Sequence, residues 1–497
     1  MDHRLRAICA LSVPRARETA GHHAAYDGTV QDLSPEGVRA GLAVLTPALP
    51  YADPYDEAVT AAAEDALRVR FGELELHRRN PRFHLENLDV ACYDRDYAPE
   101  AERAAARAAH LGLWPDAVDA ALKALDAVPA PVARATLPAA RALGAYAEDH
   151  PAARAAHGRL VAHLEDAALH GDPSAALGGA SLGLLLSSSE ACEADLAELA
   201  RRAEAERETL HGLLRDACGT AVSTAESVRA LQADHPAAED LLDEARTLAE
   251  EARAWTAASG LVPPHCAEGA CEVRPAPASR RSVLAGLRAA APYERDAPSV
   301  FHLTPPGPGL PEAEREQWLS VFHRAFLPAF VLHEVAPGHF THGRALRRVT
   351  GDVRRTLHSE AFTEGWAVYA EQLALEEGFL AHDRRFAAGV ALSGLQRATR
   401  LSCAIGLHTG ALTVADAVHA FEREAFLTPP AARAEADRAL WDPEYGHYTW
   451  GKLALLGVRE RARLAWGPGF SLLRFHSALL ALGAPPLGLM DAVLEQG

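Results

Sequence analysis

Leu196-Ala-Glu-Leu-Ala-Arg-Arg-Ala-Glu-Ala-Glu-Arg-Glu-Thr-Leu210 sets Leu196, Leu199, Ala200 and Ala203 on one face of a helix. The charged run from Arg201 to Glu208 falls around the rest of that helix and reads as a solvated face. Alanine, leucine, glutamate and arginine are strong helix formers, and their helical spacing recurs through most of the 497 residues. A mainly α fold follows.

Working outward, prolines and glycines divide the chain into a helical N-terminal portion over 1–261, with a break near Pro129 and Pro131, a breaker-rich segment over 262–311, and a helical portion over 312–497. Within the breaker-rich segment, Ser299 to Thr304 nearly alternates apolar and polar residues between prolines. It is expected to be one short edge strand beside a cleft, able to pair with an extended peptide, with His302 on the substrate side. Neither an internal repeat nor a low-complexity linker is present, so a single architecture over 1–497 is expected.

The composition, 49% hydrophobic and 23% charged with a mean hydropathy of −0.09, is that of a soluble globular protein. With 67 acidic against 49 basic residues, a net charge of −18, nucleic acid is an unsuitable partner. No apolar stretch approaches the roughly 20 residues that cross a bilayer, so no membrane partner is expected; Leu177 to Leu186 is interrupted by glycines and a serine. Seven scattered cysteines suit free thiols in a reducing compartment. The apolar run after the first basic residues stops at Pro14, so a cytoplasmic location is expected.

The chemistry concentrates in Val331-Leu-His-Glu-Val-Ala-Pro-Gly-His339 and in Glu364-Gly-Trp-Ala-Val-Tyr-Ala-Glu371. Two imidazoles and a carboxylate match a hydrolytic zinc site, with a further carboxylate free to carry protons. His333 and His339 are six residues apart, however. On a regular helix that puts them roughly 120° and about 9 Å apart, too far for one zinc with bonds of ~2.1 Å. Pro337 and Gly338 lie between them, so local unwinding at Ala336 to Gly338 is expected to bring the two rings together.

On this reading His333, His339 and Glu364 hold one zinc, and Glu334 is the general base. Glu371, seven residues beyond Glu364 and on the same helix face, is placed to orient a ligand. Glu360 and His342 compete for ligand roles. Tyr448 is the candidate donor to a developing oxyanion, with His447 as its substitute, and Arg459 is a candidate partner for a substrate carboxylate. Two other patterns carry less. Gly179-Ala-Ser181-Leu-Gly183 has the spacing of a nucleophile elbow without the strand that elbow requires, and His265, Cys266 and Cys271 lack further paired ligands.

The two motifs resemble those of the bacterial DUF885 family, whose pattern is His-Glu-x-x-Pro-Gly-His followed by Glu-Gly-Trp-Ala-x-Tyr-Ala-Glu. Gly21-His-His-Ala-Ala-Tyr-Asp27, Asp32 to Pro35, Pro305-Pro-Gly307, Tyr448-Thr-Trp-Gly451 and Phe475-His476 through Leu487 are similar to the same family, so the resemblance spans the chain. It implies one large all-helical fold with a deep central cleft, similar to helical zinc peptidases, and a hydrolase role. His339-Phe-Thr-His342 departs from the His-His-Leu-Gln common in the family. The expected activity is zinc-dependent hydrolysis of a peptide or small amide. The alternatives are a metal-dependent amide or C–N bond enzyme acting on a small non-peptide, and a metal-free helical binding protein.

Overall fold

The computed structural model describes residues 1–45, 49–277, 284–294, 297–307 and 309–496. Helices dominate, and a three-stranded sheet lies among them. The opening stretch lies in the helix Leu196–Cys218, which Asp195 caps by accepting from the Ala197 and Glu198 amides and which stops at Gly219, φ +76°. Its apolar face, with Leu199, Ala203, Leu210 and Leu214 buried, packs on the 26-residue helix Arg384–Thr409. That second helix is buried on nearly every face, as expected for the centre of a large bundle.

Two cores matter for the site. One joins Leu182, Leu199 and Ala203 to Phe362, Trp366 and Tyr369 and to the C-terminal Leu455, Phe475 and Met490. The other wraps the sheet, joining Leu241, Ala245 and Ala249 to Phe301 and Leu303 and to Leu327, Leu332 and Phe340. A separate apolar layer, built from Leu85 to Ala168, lies in the N-terminal portion.

The sheet corrects one expectation. Its strands are β1 (Cys271–Pro275), β2 (Ala285–Arg288) and β3 (Ser299–Leu303), in the order β1-β3-β2. β3 is therefore the central strand, parallel to β1 with Phe301 opposite Val273 and antiparallel to β2 with Phe301 opposite Leu287. It is not an edge, and it cannot receive a substrate strand. The near-alternation misleads because polar residues at its start are buried and bonded, Ser299 Oγ accepting from the Ala290 amide at 3.0 Å. His302 is partly exposed, with Nδ1 3.3 Å from the Pro275 carbonyl. The edge that faces the site belongs to β2.

Gly179 to Glu190 is a helix preceded by irregular chain and no strand, so Ser181 is not on an elbow. No helix of the described residues is long and apolar enough to cross a membrane.

Candidate metal centre

The helix Leu327–Glu334 ends one residue after His333, and a new helix, His339–Leu346, begins at the second histidine. Between them Val335 leaves helical geometry, at φ −104° and ψ −96°, and Ala336 to Gly338 form turns. The expected unwinding is present at the expected residues. It folds the chain tightly enough that a Cβ on Gly338 would lie 1.9 Å from the His333 carbonyl oxygen, so only glycine fits there. The His333 and His339 rings end up 4.7 Å apart and nearly perpendicular.

Glu364 arrives from the helix Glu360–Glu376, whose start is capped by Ser359 accepting from the Phe362 amide at 3.0 Å. Trp366, fully buried, donates from Nε1 to the Pro337 carbonyl at 2.9 Å and so ties this helix to the unwound turn. On its far side the helix meets His447–Trp466 backbone to backbone. A Cβ on Gly365 would lie 2.5 Å from the Gly451 backbone, and one on Gly451 would lie 1.8 Å from the Ala361 carbonyl. The two glycines let Glu364 and Tyr448 come to one site.

Glu364 Oε2 lies 3.4 Å from His333 Nε2 and 3.3 Å from His339 Nε2. Among the described residues these three form the group that could hold a metal ion, with ligand atoms within 4.8 Å of one another. Bonds of ~2.1 Å at tetrahedral angles give edges of about 3.4 Å, so the donor set fits a zinc-sized cation. Burial alone would raise the Glu364 carboxyl, but His339 and His333 overcome it and hold that carboxyl well below the usual carboxylate range. It is an anionic donor, as a cation would require.

His333 is used at both nitrogens. Nε2 faces Glu364, while Nδ1 lies 2.9 Å from Glu371 Oε1 and 3.2 Å from an Arg397 nitrogen; an Nδ1–H directed at Glu371 would leave the Nε2 lone pair to a cation. Burial and Arg397 would lower His333, yet Glu364 and Glu371 raise it above its ordinary value. Glu371 is buried; burial would raise it, but Arg397 and His333 keep it below the usual range. Ser393 donates to its Oε2 at 2.6 Å, and Arg397 approaches Oε1 at 3.3 Å. Ser393 and Arg397, one turn apart on Arg384–Thr409, escaped the sequence reading. Their i, i+4 spacing is ordinary in a helix, and nothing local shows which acid they meet.

Glu334 is buried, and its Oε2 accepts from the Leu287 amide on the outer edge of β2 at 2.7 Å. Tyr448 lies nearly parallel to His333, ring centres 6.5 Å apart, with Arg400 5.0 Å over its ring. Burial and Glu364 raise the phenol despite Arg438 and Arg400, so it remains an O–H donor at neutral pH. His447 is buried beside Tyr448.

Three expected roles move elsewhere. His342 is buried with Nε2 3.2 Å from the Gly483 carbonyl and pushed down to about 3 by burial, so it is a neutral packing residue. Glu360 pairs with Arg15 and does not join the ligand group. Arg459 is three turns, about 16 Å of helix, beyond Tyr448 and is engaged by Glu376 at 2.8 Å and the Tyr369 hydroxyl at 3.3 Å. Cys266 and Cys271 are free thiols, the first buried and the second on β1, and neither belongs to the metal-capable group.

A family model described as a bacterial protein of unknown function (DUF885) matches residues 14–494. The chain belongs to the DUF885 family. Two solved structures share its fold. A "putative lipoprotein of unknown function" from Shewanella oneidensis is 17% identical, with a TM-score of 0.78 over 99% of this chain and 98% of that one. A "putative lipoprotein" from Colwellia psychrerythraea is 16% identical, with a TM-score of 0.78 over 99% and 97%. Among curated proteins, none matches this DUF885 chain.

Proposed function

We propose that this DUF885 protein is a zinc-dependent hydrolase that cleaves a peptide or related amide bond. The observation that carries the reading is the pair of 3.3 and 3.4 Å edges joining His339 and His333 to Glu364, with Glu334 next to His333 in sequence. His333, His339 and Glu364 would hold the cation, which when bound supplies Lewis acidity and lowers the pKa of water from about 15.7 toward 7.

The remaining steps belong to the chain's own groups. Glu334 takes a proton from the attacking water and passes it to the leaving amine, its carboxylate aimed by the Leu287 amide. Tyr448, kept protonated, donates to the oxygen that gains charge as the carbonyl is attacked. Glu371, braced by Ser393 and Arg397, fixes the His333 tautomer and ring direction. The seven free thiols support a cytoplasmic setting.

Metal analysis and a peptide-library assay test the reading together. About one zinc per chain is expected, lost in His333→Ala. Glu334→Gln should keep the zinc and lower kcat by about a thousandfold, in the range of a lost general base. Protein that takes up no zinc after supplementation, or a Glu334→Gln variant with full activity, would refute it.

A further inference from the structure

A cavity of about 260 Å³ opens beside the metal-binding group, with Glu364, Thr363 and His447 in its wall. A smaller one of about 70 Å³ continues from it, and the two share Arg15, Arg70, Glu360 and Glu444. Arg82 lines the inner one. Three arginines from the first 82 residues thus reach a chamber whose opposite wall is the helix that carries Glu364.

The ion pairs in this chamber are not equivalent. Arg70 is held by Glu444 at 2.6 Å and keeps 15% of its side chain open; Glu444 in turn accepts from Ser189 at 2.6 Å. Arg82 is held by Glu86 and by Asp442 at 3.3 Å. Both are fixed without help from Glu360. Among the described residues Arg15 forms its ion pair with Glu360 alone, across 345 residues of sequence, and the two keep 46% and 43% of their side chains open. An ion pair at the wall of an internal chamber that leaves both partners this accessible is not packed for stability.

Glu360 is also surrounded by cations. Burial would raise its carboxyl, but Arg15, His447, Arg82 and Arg70 bring it down to about 2. The field at that point favours a negative group. Exchanging one carboxylate for another there leaves the charge balance unchanged, and a guanidinium receives a carboxylate through two parallel N–H donors. Val59, Leu67, Leu186 and Trp450 give part of the 260 Å³ cavity an apolar wall that can cover the body of a small substrate residue, while Ser189, Glu190 and Thr356 leave other parts of it polar.

We propose that this chamber is a carboxylate subsite: Arg15, backed by Arg70 and Arg82, takes the free carboxylate of a substrate, and Glu360 stands in for that carboxylate until it arrives. The subsite lies one helical turn from Glu364, since Glu360 precedes it by four residues. It therefore selects a carboxylate near the bond to be cut, and only this placement rests on the hydrolase reading. Two sources share the chemistry, a C-terminal α-carboxylate and an acidic side chain.

Calorimetric titration of the full-length protein, treated with chelator so that no cation competes for the probe, tests the subsite without relying on turnover. The probes are N-acetyl-L-leucine, N-acetyl-L-leucinamide and N-acetyl-L-isoglutamine, which carries only a side-chain carboxylate. At least one acid should bind tenfold or more tightly than the amide, and which acid does so identifies the source. Arg15→Met should abolish that preference and Arg15→Lys should keep only part of it, because an ammonium carries the charge without the fork of two parallel donors. Glu360→Gln should tighten the acid severalfold, because the competing carboxylate is gone. Equal binding of acids and amide, no binding of any probe, or weakening of the acid to the same degree in Arg15→Met and Glu360→Gln would overturn the proposal, the last because it marks a structural pair. Acid-selective binding without zinc uptake or hydrolysis would leave the subsite standing and remove the hydrolase reading; hydrolysis without acid preference would do the reverse.

Discussion

The candidate metal centre and the N-terminal layer from Leu85 to Ala168 are both well buried, but they are built differently. In the N-terminal layer Leu111, Val118, Leu160 and Leu164 fill space among alanines, and its ion pairs, such as Arg141–Glu165 and Arg159–Asp119, are half exposed. Around the group formed by His333, His339 and Glu364, backbone touches backbone at Gly338, Gly365 and Gly451, and buried acids are each matched to a specific donor. Volume is the constraint in one region and atomic position in the other. A loss of stability should therefore spare metal binding when it comes from the first region and abolish it when it comes from the second.

Gly451→Ala should have the largest effect. Its new methyl would meet the Ala361 carbonyl at 1.8 Å, so two helices must separate; we expect a loss of about 3 kcal/mol or more in urea unfolding together with loss of zinc. Zinc retained at full occupancy in this variant would erase the distinction. Leu160→Ala, at a fully buried position of the N-terminal layer, should cost about 3 kcal/mol with zinc per folded chain unchanged. A parallel loss of zinc would show that the two regions are mechanically coupled.

Glu371→Gln should leave the fold intact and weaken zinc about 10- to 100-fold in chelator competition, because His333 and Arg397 lose their shared anion. Glu190 sharpens the comparison through pH. It is buried, accepts from Ser359 and from the Leu487 amide, and burial pushes it up to about 8. A folded value raised above the unfolded one of ~4.3 means that the protonated form favours folding. This contribution is fully present below about pH 4 and is lost as pH rises to about 8, with a slope of at most about 1.4 kcal/mol per pH unit. Glu190→Gln should flatten that part of the stability curve, and an unchanged slope would assign it to other groups. Arg141→Ala should change stability least, by about 0.5 kcal/mol, because its pair with Glu165 is solvated.

Much of the centre was legible locally. The Pro337-Gly338 break announces that the helix cannot continue, and six-residue spacing makes that break necessary if His333 and His339 share an ion. Glu371 was legible because seven residues return to the same helix face. Arg459 was chosen for its charge alone, and charge says nothing of its distance from the site or of the Glu376 carboxylate that engages it. β3 failed because alternation reports burial on one face, whereas a central strand's neighbours are set by pairing with distant segments. Arg397, Ser393 and the Gly365–Gly451 crossing left no local trace.

By itself the sequence determined the helical class, the position of the break between the two histidines and the residue types able to bind a cation, because these follow from side-chain periodicity, backbone restriction and donor chemistry within a few residues. Only the tertiary structure decided that Glu364 rather than Glu360 meets both imidazoles, that β2 rather than β3 offers the edge, and that Arg15 reaches across 345 residues to the helix of Glu364. Those outcomes depend on how helices cross and strands pair, and the contacts that fix them lie far apart in the chain.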